Sequence, residues 1–343
     1  MKIAVLFGGI SPERNVSIAG GRAVVDALRS KGHDVLAIDP AYGADGLRNG
    51  EELATISQIP DEEMLAGFSP RRLIECVNSP LFDDVDVAFL VLHGKWGEDG
   101  TIQSLLKMRG IPFTGSQVKA SSLAMDKISS KMMFLSAGIP TPQWATLRKE
   151  YIDDYDILEE LRSEIGPEMV IKPNDQGSTI GITIIRDGNL DDINEGIRKA
   201  FKYSDRALAE KFIEGRELTV SVVGDTVLPV IEIIPEEGYY DYEHKYTKGK
   251  TEYVCPAEIT DDVTEFIQGM ADTAYNVLGC EGFGRVDFRL DEEGQPFCLE
   301  VNTIPGFTAT SLVPMASRTA GTEFPELCEK IINLALNKND NQE

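Results

Sequence analysis

Two alternating runs near the carboxyl end constrain this chain more than any other stretch. In "RVDFRL", Val286, Phe288 and Leu290 are apolar while Arg285, Asp287 and Arg289 share the opposite face. In "CLEVNTIPG", Leu299 and Val301 read as the buried face of a strand, with Glu300 and Asn302 on the other face just before a Pro-Gly break. The "DEEGQ" between them is a turn, so the runs pair as an antiparallel hairpin. Setting Leu290 opposite Phe297 puts Asp287 opposite Glu300 and Arg285 opposite Asn302. A one-residue slip would set Asp287 beside Leu299, which the apolar pattern resists. Two carboxylates facing each other across a ladder repel, so the pairing calls for a cation. Asp287, Glu300 and Asn302 offer the oxygen set that Mg2+ takes together with phosphate oxygens and water. The plainer alternative is a surface hairpin whose Arg285 and Arg289 neutralise the acids.

Upstream, residues 2 to 7 form a short buried strand, followed by a Gly-Gly loop, the amphipathic helix "SIAGGRAVVDALRSKG" closed by Gly32, and the strand "DVLAID". That is a β-α-β unit. "VDVAFLVLHG" adds a strand and "TIQSLLKMRG" a helix before "IPFTGS". The first 116 residues therefore read as an open parallel sheet, with the loops "GGISPERN" and "HGKWGEDG" at carboxyl ends of strands, where ligands bind. Residues 41 to 82 read as a surface excursion with one or two short helices. "SSLAMDKISSKMMFLSAG" reads as one helix ended by Gly138; strands around "EMVIKP", "TIGITII" and "RALAEKFI", with a helix near residues 190 to 202, then make a small α+β region. The third region has "ELTVSVVG", "TVLPVIEIIP", a long polar stretch, a helix near 262 to 278, and the hairpin. The expected division is 1–116, 117–212 and 213–343, with a lid loop at 236–256.

With 343 residues, 42% of them hydrophobic, the chain can bury ample core. Its formal charge of −24 argues against binding a nucleic-acid backbone or an anionic membrane. The apolar run in "MKIAVLFGG" is too short for a secretory signal and no other run approaches a membrane span, so the expected address is the cytoplasm. Cys76, Cys255, Cys280, Cys298 and Cys328 lack metal-ligand spacing and read as reduced, structural thiols.

Several loops carry further chemistry. "VIKPNDQGSTIG" runs a strand into Lys172 and then a loop whose N–H groups, with Ser178 and Thr179, could approach phosphate oxygens; an ordinary hairpin turn is the plain alternative. Glu210 and Glu217 flank a Gly turn, either to bind an amino group and vicinal hydroxyls or merely as a solvated turn. Glu13 and Arg14 fit helix capping by Ser11 as well as a site, and a lone histidine such as His93 at a strand end is more often structural than catalytic. "YYDYEHKYTKGKTEY" lacks periodicity and has the length of a lid.

In that order, these stretches resemble the D-alanine:D-alanine ligase family of the ATP-grasp superfamily. The resemblance runs from "VLFGGISPERNVS" through "AMDKISSK", "VIKPNDQGS" and "EKFIEGRELTV" to "LEVNTIPGFTATSLVPMA", and is weakest over 41 to 82. It implies an α/β, three-domain ATP-grasp fold: a parallel-sheet N-terminal domain and two α+β lobes clamping ATP. It further implies ligation of two D-alanines to D-alanyl-D-alanine through an acyl phosphate, for peptidoglycan. A relative using D-lactate or D-serine, or another ATP-grasp carboxylate-amine ligase, is the alternative; a catalytically idle nucleotide binder is opposed by the presence of Arg285.

Position by position, the resemblance implies that Lys127, Lys172 and Lys245 contact ATP phosphates. Glu210, with Lys211, Phe212 and Ile213, reads adenine, and Glu217 takes the ribose. Asp287, Glu300 and Asn302 hold two Mg2+, which Mn2+ can replace. Arg285 and the Gly306 N–H serve the oxyanion. Glu13, linked to Ser178 and Tyr246, binds the first ammonium, with His93 close by; Ser311 and the Leu312 N–H take the second carboxylate. Asn15 stands where many members carry an acid, and Tyr246 is of the dipeptide-forming type. A homodimer is the family's usual state.

Overall fold

A computed structural model describes residues 1–48, 65, 67–235 and 251–337. Strand β1 (Lys2–Leu6) lies between β2 (Asp34–Ile38) and β3 (Val87–Leu90), all parallel. Four of the five β1 residues are buried, as expected where helices cover both faces. Helix α1 (Arg14–Ser30) reaches the sheet through Gly20 and Gly21: a Cβ on Gly21 would stand 2.4 Å from the Phe7 Cβ. Only a side chain of hydrogen permits that approach. Helix α2 (Arg71–Val77) buries Leu73, Cys76 and Val77 against the other sheet face, beside α3 (Thr101–Arg109). The short helix expected within 41–82 is there, but at Arg71–Val77 the span packs on the sheet and is no surface excursion; residues 49–64 and 66 lie outside the described residues. In "RRLIECV" the spacing of Leu73, Cys76 and Val77 makes one helical stripe, which charged neighbours obscure.

The single helix expected before Gly138 is two, α4 (Val118–Met125) and α5 (Lys127–Ser136). Asp126 breaks it, adopting an extended backbone and accepting the Ser129 N–H at 2.8 Å as an N-cap. The break places Lys127 at the first position of α5.

Next comes a four-stranded antiparallel sheet in the order β4 (Trp144–Leu147), β7 (Ala207–Lys211), β5 (Met169–Pro173) and β6 (Thr183–Ile185). Helices α6 (Tyr155–Ile165) and α7 (Leu190–Ala200) close its core, which shares no buried residue with its neighbours' cores.

The third sheet has six strands. β8 (Arg216–Val223) carries the short β9 (Thr226–Val227); β10 (Ile231–Pro235) pairs β8 and β11 (Thr251–Val254). β11 takes up part of the span expected to be lid. Helix α8 (Asp261–Val277) packs on one face, and β12 (Phe283–Leu290) and β13 (Pro296–Asn302) form the hairpin.

Asp287 does pair with Glu300, and Arg285 with Asn302, but Leu290 sits opposite Pro296, not Phe297. A β-bulge shifts the register beyond Asp287. Leu299 is the extra residue, so Cys298 and Val301 point into the core while Leu299 is only half-buried beside Glu300. The reading of Leu299 as a core residue is corrected accordingly.

Helices α9 (Leu312–Thr319) and α10 (Phe324–Asn337) return the chain to its start. Val313, Leu327 and Ile331 share one buried cluster with Ile3, Val25 and Leu28. The first sheet and the last helices thus have a common core.

Candidate active site

Loops and strand ends from all three sheets converge at one place. Glu13 precedes α1 and is 7% exposed; its carboxylate accepts the Ser178 hydroxyl, from the glycine loop after β5. Ser178 and Thr179 sit in left-handed backbone, φ 47° and 60°, an unusual conformation that tends to mark functional loops. Arg14 opens α1 with its side chain turned inward. It is 1% exposed and forks onto Asp39, with its Nη1 2.7 Å from the Gly9 carbonyl, and Asp39 accepts the Gly9 N–H at 3.1 Å. The pair fixes the loop that carries Glu13.

His93 follows β3 with Nδ1 2.9 Å from the Ile304 carbonyl oxygen. Burial, followed by the nearby Arg285 charge, lowers its pKa to about 4 against the pull of that hydrogen bond. The ring is therefore neutral, its Nδ1–H donates to Ile304, and its buried Nε2 has no hydrogen-bond partner. In the same loop Glu98 accepts the Gly94 N–H at 2.7 Å. Burial and then the Glu13 charge push its pKa up to about 8, with the N–H groups of Gly94 and Ile304 opposing. A Cβ on Gly94, whose φ is 69°, would stand 2.6 Å from the Glu13 carboxylate, so a side chain there would be strained and would push Glu13 aside.

On the hairpin, Arg285 grips Asp287 with both Nε and Nη2 at 2.8 Å, and the Asn302 amide donates to Asp287 at 2.9 Å. Lys127 Nζ reaches across to Glu300 at 2.9 Å and to the Gln176 carbonyl at 2.8 Å. Burial works against the charge on Lys127, but Glu300, followed by Glu210 and Glu98, outweighs it and raises its pKa. The repulsion expected between Asp287 and Glu300 is met by one cationic side chain on each. Among the described residues no three His, Cys, Asp or Glu side chains form a metal cage. Two carboxylates and an amide oxygen on one rim nonetheless fit Mg2+, which takes few protein oxygens and completes its shell with phosphate and water.

Glu210, 3% exposed, lies between Lys172 and Lys131, the latter 2.8 Å away. Lys211 is exposed, Phe212 is covered by the Arg186 guanidinium 3.9 Å from its ring centre, and the Ile213 carbonyl accepts from Arg289 at 3.2 Å. Arg289 also lies 3.5 Å from Glu217. Beyond the hairpin, Phe307 packs among Phe89, Phe283 and Phe324, centres 5.3–5.7 Å apart, which anchors Gly306. Ser311 accepts the Thr308 N–H at 2.9 Å and stands at the N-terminus of α9, ahead of Leu312. Lys245 and Tyr246 lie outside the described residues.

Sequence reasoning missed Lys131, Glu98 and Asp39. Asp39 had a signal, an acid ending an apolar strand. Glu98 sits among polar and glycine neighbours, and Lys131 between two serines and an apolar run, with nothing to set either apart.

The N-terminal family described as "D-ala D-ala ligase N-terminus" matches residues 2–116, and "D-ala D-ala ligase C-terminus" matches 133–333. A D-alanine–D-alanine ligase of Methylacidiphilum infernorum is 42% identical over 97% of this chain and 95% of its own. The crystal structure of the Bacillus anthracis D-alanine–D-alanine ligase covers both chains fully at 31% identity and TM-score 0.79, and its ATP complex at 29% and 0.76. The VanG D-Ala:D-Ser ligase of Enterococcus faecalis covers 97% of this chain and 99% of its own, at 30% identity and TM-score 0.76. The fold is the mixed α/β ATP-grasp arrangement, parallel at the start and antiparallel thereafter. The chain belongs to the D-alanine–D-alanine ligase family.

Proposed function

We propose that this chain joins two D-alanines to D-alanyl-D-alanine at the expense of ATP, for peptidoglycan. The observation that carries the reading is the meeting of Glu13 with Ser178, Lys127 with Glu300, and Arg285 with Asp287 on one rim built from all three sheets. We divide the chain at 1–116, 117–212 and 213–343, which gives each sheet its own domain.

Glu13 holds the ammonium of the first D-alanine, with Ser178 and Tyr246 orienting its carboxylate and His93 beside the substrate. A carboxylate oxygen of that D-alanine attacks the γ-phosphorus, ADP leaves, and an acyl phosphate remains. Lys127, Lys172 and Lys245 neutralise the phosphoryl oxygens as they move. Mg2+ or Mn2+, held by Asp287, Glu300 and Asn302, would add its charge to the same phosphates. Glu210 with the 211–213 backbone orients the base, and Glu217 the ribose. The amine of the second D-alanine then attacks the acyl carbon, loses a proton, and phosphate departs. Arg285 and the Gly306 N–H face the oxyanion, a contribution of roughly a hundred- to a thousandfold in rate. Ser311 and the Leu312 N–H take the second carboxylate at a helix N-terminus, which favours an anion.

The purified protein should release phosphate from ATP only when Mg2+ and D-alanine are both present; no release under those conditions overturns the reading. The likeness to a D-Ala:D-Ser ligase supports a second reading, and faster release on adding D-serine or D-lactate would favour it. The family's pattern further supports a cytoplasmic homodimer without nucleic-acid or membrane partners. No helix among the described residues is long and apolar enough to cross a membrane.

A further inference from the structure

We propose that Lys131 is the permanent counter-ion of Glu210, a positioning residue that frees Lys172 to hold a nucleotide phosphate. Three charged side chains lie in a row beneath the site: Lys131 fully buried, Glu210 3% exposed, and Lys172 at the mouth, 7% exposed. Both ammonium groups claim the one carboxylate, Lys131 on Oε2 and Lys172 on Oε1. Lys131 is held in place by a second bond, Nζ donating to the Thr141 hydroxyl at 2.6 Å. Against the effect of burial, the Lys131 charge and then that of Lys172 keep the Glu210 pKa low.

A buried ion stripped of its partner is strongly destabilising. If Lys172 were the sole counter-ion, turning it toward a phosphate would strip Glu210. With Lys131 behind, Glu210 stays paired whichever way Lys172 points, and the trio keeps one surplus positive charge for an anionic ligand. The role given to Lys172 rests on the ligase reading of the site; the pairing of Lys131 with Glu210 does not.

The test uses the full chain with Lys131→Met, Lys131→Arg and the double variant Lys131→Met/Glu210→Gln. Mg-ATP binding is measured by calorimetry, and Lys172 reactivity by acetic anhydride labelling read in a mass spectrometer. Lys131→Met should weaken ATP about tenfold, the scale of a strongly coupled pair, and should lower Lys172 labelling as that lysine becomes captive to Glu210. Lys131→Arg should behave as wild type. Adding Glu210→Gln should restore Lys172 labelling, because the carboxylate that captures it is gone, which a merely structural role would not do. Unchanged labelling and binding in Lys131→Met, or Lys172 labelling in the double variant as low as in Lys131→Met, would overturn the proposal. If Lys131→Met does not fold, the neutral but hydrogen-bonding Lys131→Gln must show the same drop in labelling, and its absence counts against the proposal equally. A wild-type protein that fails to bind Mg-ATP refutes the ligase reading, while the labelling arm still decides whether Lys131 competes for Glu210.

Discussion

His93 donates its ring N–H to the carbonyl of Ile304, 2.9 Å away, tying the loop after the third strand to the turn that leads to Gly306. The surrounding burial sets a pH response that this bond only partly opposes. The folded imidazole has a pKa of about 4 against 6.5 for the free side chain, so the unfolded chain binds the extra proton first. Between pH 6.5 and 4 the contribution of His93 to stability therefore falls as the pH drops. Glu98, pushed up to about 8, works in the opposite sense above pH 4.5, so the His93 part is read as a difference: denaturation midpoints of wild type should drop relative to those of His93→Gln as the pH falls through that window. Parallel profiles would refute a neutral buried ring.

Replacing Glu300 by Gln should cut turnover at least about a hundredfold, because Lys127 and the phosphate-side cation lose the charge they share, while circular dichroism stays unchanged. Ordinary activity would be incompatible with a metal role for this residue.

Asp39→Ala should cost about 3–5 kcal/mol, since it strands the Arg14 guanidinium in the interior. The loop before Glu13 loses its anchor as well, so the KM for D-alanine should rise more than that for ATP. Chemical denaturation and separate titrations of the two substrates check both parts.

Phe307→Ala should remove about 3–5 kcal/mol from the aromatic cluster and loosen the Gly306 turn. A fall in kcat with the KM for ATP preserved is the expected kinetic signature, because the nucleotide contacts lie elsewhere on the rim.

Much of this was legible in residues 285 to 302. The pairing of Asp287 with Glu300 follows from alternation alone, because one face had to be apolar. The bulge at Leu299 did not follow: Cys298, Leu299 and Val301 are all apolar, and the pattern cannot say which one is surplus. Helix α5 hid behind continuous apolar spacing, and Asp126 reveals itself as a cap only once its backbone turns out of the helix. Lys131 was invisible for a different reason. A helical lysine is nearly always solvated, and its burial depends on an acid far along the chain, which no local pattern encodes.

The core shared by the first sheet and the last helices bears on how the chain is made. Val25 and Leu28 can pack on Ile3, Val5 and Val35 as soon as the first strands and helix have left the ribosome, but the apolar stripe of the same cluster that Leu327 and Ile331 cover stays open until they have been synthesised. Lys31 likewise waits for Glu326. A fragment ending at residue 116 should therefore expose that apolar stripe and bind a hydrophobic dye, and adding a separate peptide spanning residues 307–337 should quench the signal. The earliest part of this protein to be translated completes its core only with the last.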